Sequence, residues 1–282
     1  MTFSKYYLSP ICTKRLGDAL ISISNMYHTV STNGTPVKIY YHHWPKYFAM
    51  LWPHLVHPKL DIEYVRLDVP SQISIDDTLE DTWIDIIREK CSRDDFIWHP
   101  SQGYSKTICK VHPYIAQELL NLGIPEKNIL VNCTELLPGA KYVQFKYKFE
   151  RKDLITFQGV SVDRDYGSRF NVDISSELEL FEAAEKVDVS GTNLPIEKTI
   201  ELIGSAKMHV GIDSAPAHIA LALNTPLVLL WQTVGDERSI NTIYNVYANY
   251  RDDILVKRIG DTRGLARISK RQSNEKMTLE RI

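Results

Sequence analysis

The chain has few cysteines, no long apolar run and no surplus of positive charge, and each shortage removes a class of protein. Its four cysteines (Cys12, Cys91, Cys109, Cys133) are scattered, with no CxxC pair. A disulfide framework or a zinc site needs closer grouping, so they read as reduced thiols. The N-terminal stretch lacks a signal-peptide core, because Lys5, Lys14 and Arg15 interrupt it. The longest apolar stretch, Ala215–Trp231, is broken by His218, Asn224, Thr225 and Pro226, whereas a spanning helix needs about 20 apolar residues. With 33 Lys and Arg against 35 Asp and Glu, the formal charge is −2, which disfavours a globally basic nucleic-acid binder. The expectation is a soluble cytoplasmic protein with no transmembrane segment, in the host cytoplasm if its source is viral.

What is present fits a folded enzyme-sized chain. Over 282 residues, 44% are hydrophobic and 24% charged, an ordinary globular balance with material for roughly two domains. Short β-type runs at Lys5–Ser9, Val37–Tyr41, Ile62–Leu67, Phe96–His99 and Ile129–Asn132 alternate with helical periodicity at Gly17–Val30, Leu79–Cys91 and Pro113–Leu122. Lys141, Lys146, Lys148, Arg151 and Lys152 then form a basic interruption. A second alternation follows, with strands at Leu154–Gln158, Val187–Ser190, Lys207–Ile212 and Leu227–Trp231. Its helices are predicted at Ser175–Lys186, Pro195–Ser205 and Pro216–Leu223. Such alternation predicts two open parallel α/β sheets, residues 1–150 and 151–282. Ligands of such sheets bind beyond the carboxyl ends of the strands.

The most informative segment is Ser205–Trp231. A strand runs into Gly211-Ile212-Asp213-Ser214, and a helix begins near Pro216, whose fixed φ suits a first helical position. The free N–H groups and positive dipole end of that helix suit a phosphate, small Ala215 and Ala217 permit close approach, and His218 lies one turn in. The plainer alternative is that Asp213 and Ser214 only cap the helix and His218 is a core histidine.

The run Asp213-Ser214-Ala215-Pro216-Ala217-His218-Ile219-Ala220, then Ala222-Leu223 and Thr225-Pro226, resembles the C-terminal signature of the heptosyltransferases, glycosyltransferase family nine. With Leu194-Pro195, Glu201-Leu202-Ile203 and Ser205-Ala206 upstream, the likeness runs over roughly forty residues in order and spacing. The resemblance implies an α/β GT-B fold, two Rossmann-like parallel-sheet domains facing across a cleft, the first on the acceptor side and the second binding the nucleotide sugar. It implies inverting sugar transfer from an ADP- or UDP-linked donor, with no cofactor and no metal. Gly17-Asp18 resembles the family's Gly-Asp pair, which makes Asp18 the general base; the plainer alternative is a carboxylate at a helix start.

The resemblance also implies donor contacts from Ser161, Arg164 and Arg169, in a loop that lacks the family's usual threonine-rich, lysine-containing form. Thr192, Asn193 and Leu194 are expected beside the base and ribose, with Asp213, Ser214, Ala215 and His218 completing the donor site. Acceptor contacts are expected from Lys14, His99 and Gln102, on turns after first-domain strands. Asp163-Arg164-Asp165 mimics an Asp-x-Asp metal pattern but reads better as solvated loop charge. His42-His43 point to opposite faces of an extended chain and do not make a metal pair. The expected acceptor is a saccharide such as lipopolysaccharide core or a hydroxymethylated base in phage DNA; the basic stretch Lys257–Ile282 suits a polyanion, the plainer reading being a solvated helix face. A sugar-nucleotide-binding protein without catalysis is the alternative from another class.

Overall fold

The computed structural model describes residues 4–8, 16–34, 36–41, 46–67, 79–99, 119–125, 128–131, 136–137, 139–159, 174–190, 194–231, 255–258, 265–268 and 279–281. The chain divides into two compact units. The first comprises Met1–Pro53 and His57–Leu137, the second His54–Val56 and Pro138–Ile282.

The first unit is an open sheet of β1 (Ser4–Leu8), β2 (Val37–Tyr41), β3 (Ile62–Arg66), β4 (Phe96–His99) and β5 (Ile129–Val131), in the order β3-β2-β1-β4-β5. Every pairing is parallel. Parallel neighbours need crossovers, and α1 (Leu16–Asn33), α2 (Lys46–Leu51) and α3 (Leu79–Lys90) supply them. Alternation along β1 sends Tyr6 and Tyr7 to opposite faces. Tyr7 stacks on Tyr40 and joins Ile87, Ile97, Leu119, Ile124 and Ile129 in one core, while Tyr6 stacks on Phe96. Along α1, Leu20, Ile23, Tyr27 and Val30 are all buried, as their spacing predicts. Each such side chain taken fully out of water is worth about 1.5–3 kcal/mol.

The second unit is a larger sheet of β6 (Lys152–Gln158), β7 (Glu185–Asp188), β8 (Ala206–Gly211), β9 (Leu227–Trp231), β10 (Leu255–Arg258), β11 (Leu265–Ile268) and β12 (Leu279–Arg281). Its order is β12-β11-β10-β9-β8-β6-β7. The part from β7 to β10 is parallel, and β11 and β12 extend it antiparallel. Three helices belong to it: α4 (Ser175–Leu178), α5 (Ile196–Ser205) and α6 (Ala215–Ala222). Ile155, Val210, Ile212, Val228 and Leu230 face Ile174 and Leu178 on one side. Thr156, Gln158, His209 and Gly211 alternate to the other side, under α5 and α6. Strand pairing holds Leu55 against Phe145, with Val56 N donating to Gln144 O and Lys146 N to His54 O.

One helix expected from the sequence changes. The helix expected over Ser175–Lys186 stops at Leu178, and the residues before Ser190 instead form β7 at Glu185–Asp188, in register with Leu154–Phe157 of β6. Pairing with a neighbouring strand overrides the helical propensity of the Glu-Ala-Ala-Glu run. Of the helix expected at Pro113–Leu122, residues 113–118 lie outside the described residues, residues 119–121 are helical and Leu122 is in a turn.

Glycine is required where α5 meets Phe149. A Cβ on Gly204, in the last turn of α5, would collide with the ring of Phe149. Beside it, Arg151 serves as a shared cap. Its Nη1 donates to Gly204 O (2.6 Å), Ala206 O (2.9 Å) and Thr225 Oγ1 (2.8 Å), and its Nη2 to Asn224 O (3.0 Å). One guanidinium thereby satisfies the carbonyl end of α5 and the turn after α6, where a helix leaves acceptors unmet.

Candidate active site

Both sheets have a point where the direction of winding reverses, and in open α/β sheets ligands bind in the crevice at the carboxyl ends of the strands there. In the first unit that point lies between β1 and β4. Helix α1 starts just after β1 and carries Asp18 in its first turn, buried at 7% exposure. The positive end of the helix dipole favours an ionised carboxylate in that position. His99 ends β4 on the adjacent strand, so Asp18 and His99 come to the same switch point. Lys14 and Gln102 lie outside the described residues.

In the second unit the reversal lies between β6 and β8, which end at Gln158 and Gly211. The residues leading into α6 follow directly. Ser214 is extended (φ −158°, ψ 176°) and sits at the cap position, yet its side chain makes no capping hydrogen bond. Its hydroxyl instead donates to Gln158 Oε1, and more weakly to Ile212 O at 3.2 Å. Capping by Ser214, the plainer sequence reading, is therefore not what the side chain does. The first turn of α6 also holds no acidic side chain, and Pro216 falls within it where a missing N–H costs nothing. Such a helix start suits an anion.

His218 is buried one turn into α6. Its Nδ1 lies 2.7 Å from the hydroxyl of Tyr142, and its Nε2 lies 3.7 Å from Asp213 Oδ1. Burial lowers the pKa of His218, and the Asp213 carboxylate only partly offsets this. A second histidine, His209, is wholly buried between α6 and the sheet, with Nδ1 3.1 Å from Thr156 Oγ1. Burial pushes its pKa down to about 3, so it is a neutral core residue at physiological pH. Its Nε2 would be 2.7 Å from a Cβ on Gly211, which leaves room there for glycine alone.

Asp213, Ser214, Ala215 and His218 thus gather at one helix start, and Leu194 lies half-buried just before α5. Ser161, Arg164, Arg169, Thr192 and Asn193 lie outside the described residues. Sequence reasoning missed Tyr142 and Gln158. The first is one tyrosine in a connecting stretch, and only its distant partner gives it meaning. The second had a usable signal, a polar residue ending an apolar strand just before Gly159. Among the described residues no cluster of His, Cys, Asp or Glu forms a metal site, and no helix is long and apolar enough to cross a membrane.

Residues 177–242, which contain α5, β8 and α6, match a family model of glycosyltransferases. The model is that of glycosyltransferase family 9 (heptosyltransferase), and its match falls within the second unit. Among solved structures, the chain is similar to Escherichia coli ADP-heptose LPS heptosyltransferase II at 13% identity, covering 91% of this chain and 90% of that one, with a TM-score of 0.49. It is also similar to the iron-containing dodecameric glycosyltransferase TibC of enterotoxigenic E. coli (11% identity, 82% of this chain, TM-score 0.45) and spans only 59% of TibC's length. A family 9 glycosyltransferase from Veillonella parvula is alike at 11% identity, over 92% and 87% of the two chains, with a TM-score of 0.43. Among curated proteins, no relative matches the sequence.

Proposed function

We propose that the protein is an inverting glycosyltransferase that moves a sugar from an ADP- or UDP-linked donor to an acceptor hydroxyl. The observation that carries this reading is the start of α6: at the switch point of its sheet, inside the family 9 segment, with Ser214 turned away to Gln158 and no acid in the first turn. A diphosphate is the ligand such a helix start accepts best.

In this mechanism Asp18 takes the proton of the acceptor hydroxyl as its oxygen attacks the anomeric carbon. The bond from that carbon to the diphosphate breaks, the nucleoside diphosphate leaves, and one displacement inverts the configuration. A positioned base of this kind contributes about 10²–10⁴-fold. The leaving charge is met by the α6 terminus, His218, Ser161, Arg164 and Arg169, without a divalent cation. Thr192, Asn193 and Leu194 border the base and ribose, while Lys14, His99 and Gln102 hold the acceptor. The two α/β units take the donor and acceptor roles of a GT-B enzyme, the boundary falling at Pro138 rather than near residue 150, and the scattered cysteines support work in the cytoplasm.

The test is nucleoside-diphosphate release from ADP- and UDP-sugars in the presence of EDTA. Each donor is offered core oligosaccharide, hydroxymethylcytosine DNA or no acceptor, with Asp18→Asn alongside. Release that one acceptor stimulates and the variant loses is the expected outcome, and it identifies both substrates. Nucleotide binding without release from any pairing would overturn the transferase reading in favour of a binding protein.

A further inference from the structure

We propose that Tyr142 is a positioning residue that fixes His218 as an Nε2–H donor at the head of α6, so that the helix start offers a proton rather than a lone pair to phosphate oxygens. Its use in catalysis rests on the nucleotide-sugar reading above. The geometry does not, because every group involved belongs to the second unit.

A neutral imidazole carries one N–H and one lone pair, and its surroundings decide which nitrogen has which. Burial keeps His218 neutral. Its Nε2 faces the Asp213 carboxylate at 3.7 Å, beyond hydrogen-bond range but close enough for the charge to be felt. A carboxylate only accepts, so a lone pair on Nε2 would face a like field, whereas an N–H is attracted. With the proton on Nε2, Nδ1 must accept, and the Tyr142 hydroxyl 2.7 Å away is the group that donates to it. Tyr142 is itself buried, so this bond is made out of water, where losing it costs most. The opposite tautomer would have Tyr142 accept from Nδ1 and would set a lone pair against both Asp213 and an incoming phosphate.

His209 supplies a built-in contrast. It is buried nine residues earlier in the same unit, but its Nδ1 meets a threonine hydroxyl and no carboxylate faces its Nε2 among the described residues. Of these two histidines, His218 has an acceptor-only group on one nitrogen and a hydroxyl on the other, an arrangement that His54 shares through Glu197 and Tyr147 away from the head of α6. Tyr142 lies outside residues 177–242, so the connecting stretch before β6 contributes to a site whose recognisable segment is elsewhere.

The experiment reads imidazole ¹⁵N shifts in the intact chain, with His218 signals assigned by their loss in His218→Gln, and compares wild type with Tyr142→Phe. Calorimetry with ADP and UDP accompanies it. The wild type is expected to show the Nε2–H tautomer. Tyr142→Phe is expected to show mixed tautomers and about tenfold weaker nucleotide binding, the size of one buried hydrogen bond. A wild-type proton on Nδ1 overturns the proposal, as does a Tyr142→Phe variant that keeps both the tautomer and the affinity. An Nε2–H form lost in Tyr142→Phe supports the lock even if neither nucleotide binds, and that failure would count against the proposed function alone.

Discussion

The helix at the first switch point and the helix at the second treat charge in opposite ways. Helix α1 opens on Gly17-Asp18 and places its own buried carboxylate at the positive end of its dipole. Helix α6 opens without an acid in its first turn, and its cap-position serine is engaged by Gln158 instead. The nearest carboxylate, Asp213, faces His218. The same local device, a helix starting where a parallel sheet reverses, carries its own carboxylate in the first turn in one unit and none there in the other. Fold alone therefore does not assign the role of a switch point; the first residues of its helix do.

Four measurements bear on that contrast, and the largest effect concerns Asp18. Asp18→Asn is expected to lower sugar transfer about 10³-fold while nucleotide affinity stays within about twofold, read as nucleoside-diphosphate release and by calorimetry. Equal losses of both would erase the distinction between the units. Ser214→Asp makes the start of α6 resemble that of α1 and should weaken nucleotide binding about a hundredfold through like-charge repulsion. Unchanged affinity would place the anion elsewhere.

Smaller effects test the scaffold of the second unit. Gly204→Ala pushes a methyl into the Phe149 ring and should cost about 1–3 kcal/mol in urea unfolding, partly recovered by adding Phe149→Leu. His209 gives a dependence on pH. Its folded pKa of about 3 lies below the unfolded value of 6.5, so the unfolded chain binds the extra proton between those limits. Its contribution to stability is fully present above pH 6.5 and falls by about 1.4 kcal/mol per pH unit below it. The slope of stability against pH should be smaller by that amount in His209→Leu, measured between pH 6.5 and 4.

Much of the fold was legible in the sequence because its strands are short, apolar and clearly bounded. Val37–Tyr41, Phe96–His99 and Leu227–Trp231 occupy the expected residues, and α1 buries the expected stripe. The strand expected at Val187–Ser190 was legible only in part, since its charged edge-strand sequence has no apolar run and pairing with β6 sets its bounds at Glu185–Asp188. The α6 segment was readable as a unit because its residues are contiguous. What surrounds it was not: Tyr142 meets His218 across 76 positions and Gln158 meets Ser214 across 56, and no local periodicity encodes such meetings.

Arg151 carries a consequence for the order of folding events. Its guanidinium joins the start of β6 to carbonyls 53 to 73 residues further along. Those acceptors exist as a group only after α5, β8 and α6 have all taken their places, so the bonds form late, on the native side of the barrier. Interactions of that kind do little to hasten folding and much to slow unfolding. The clasp at Arg151 accordingly acts on how long the second unit lasts once formed, rather than on how quickly it is reached.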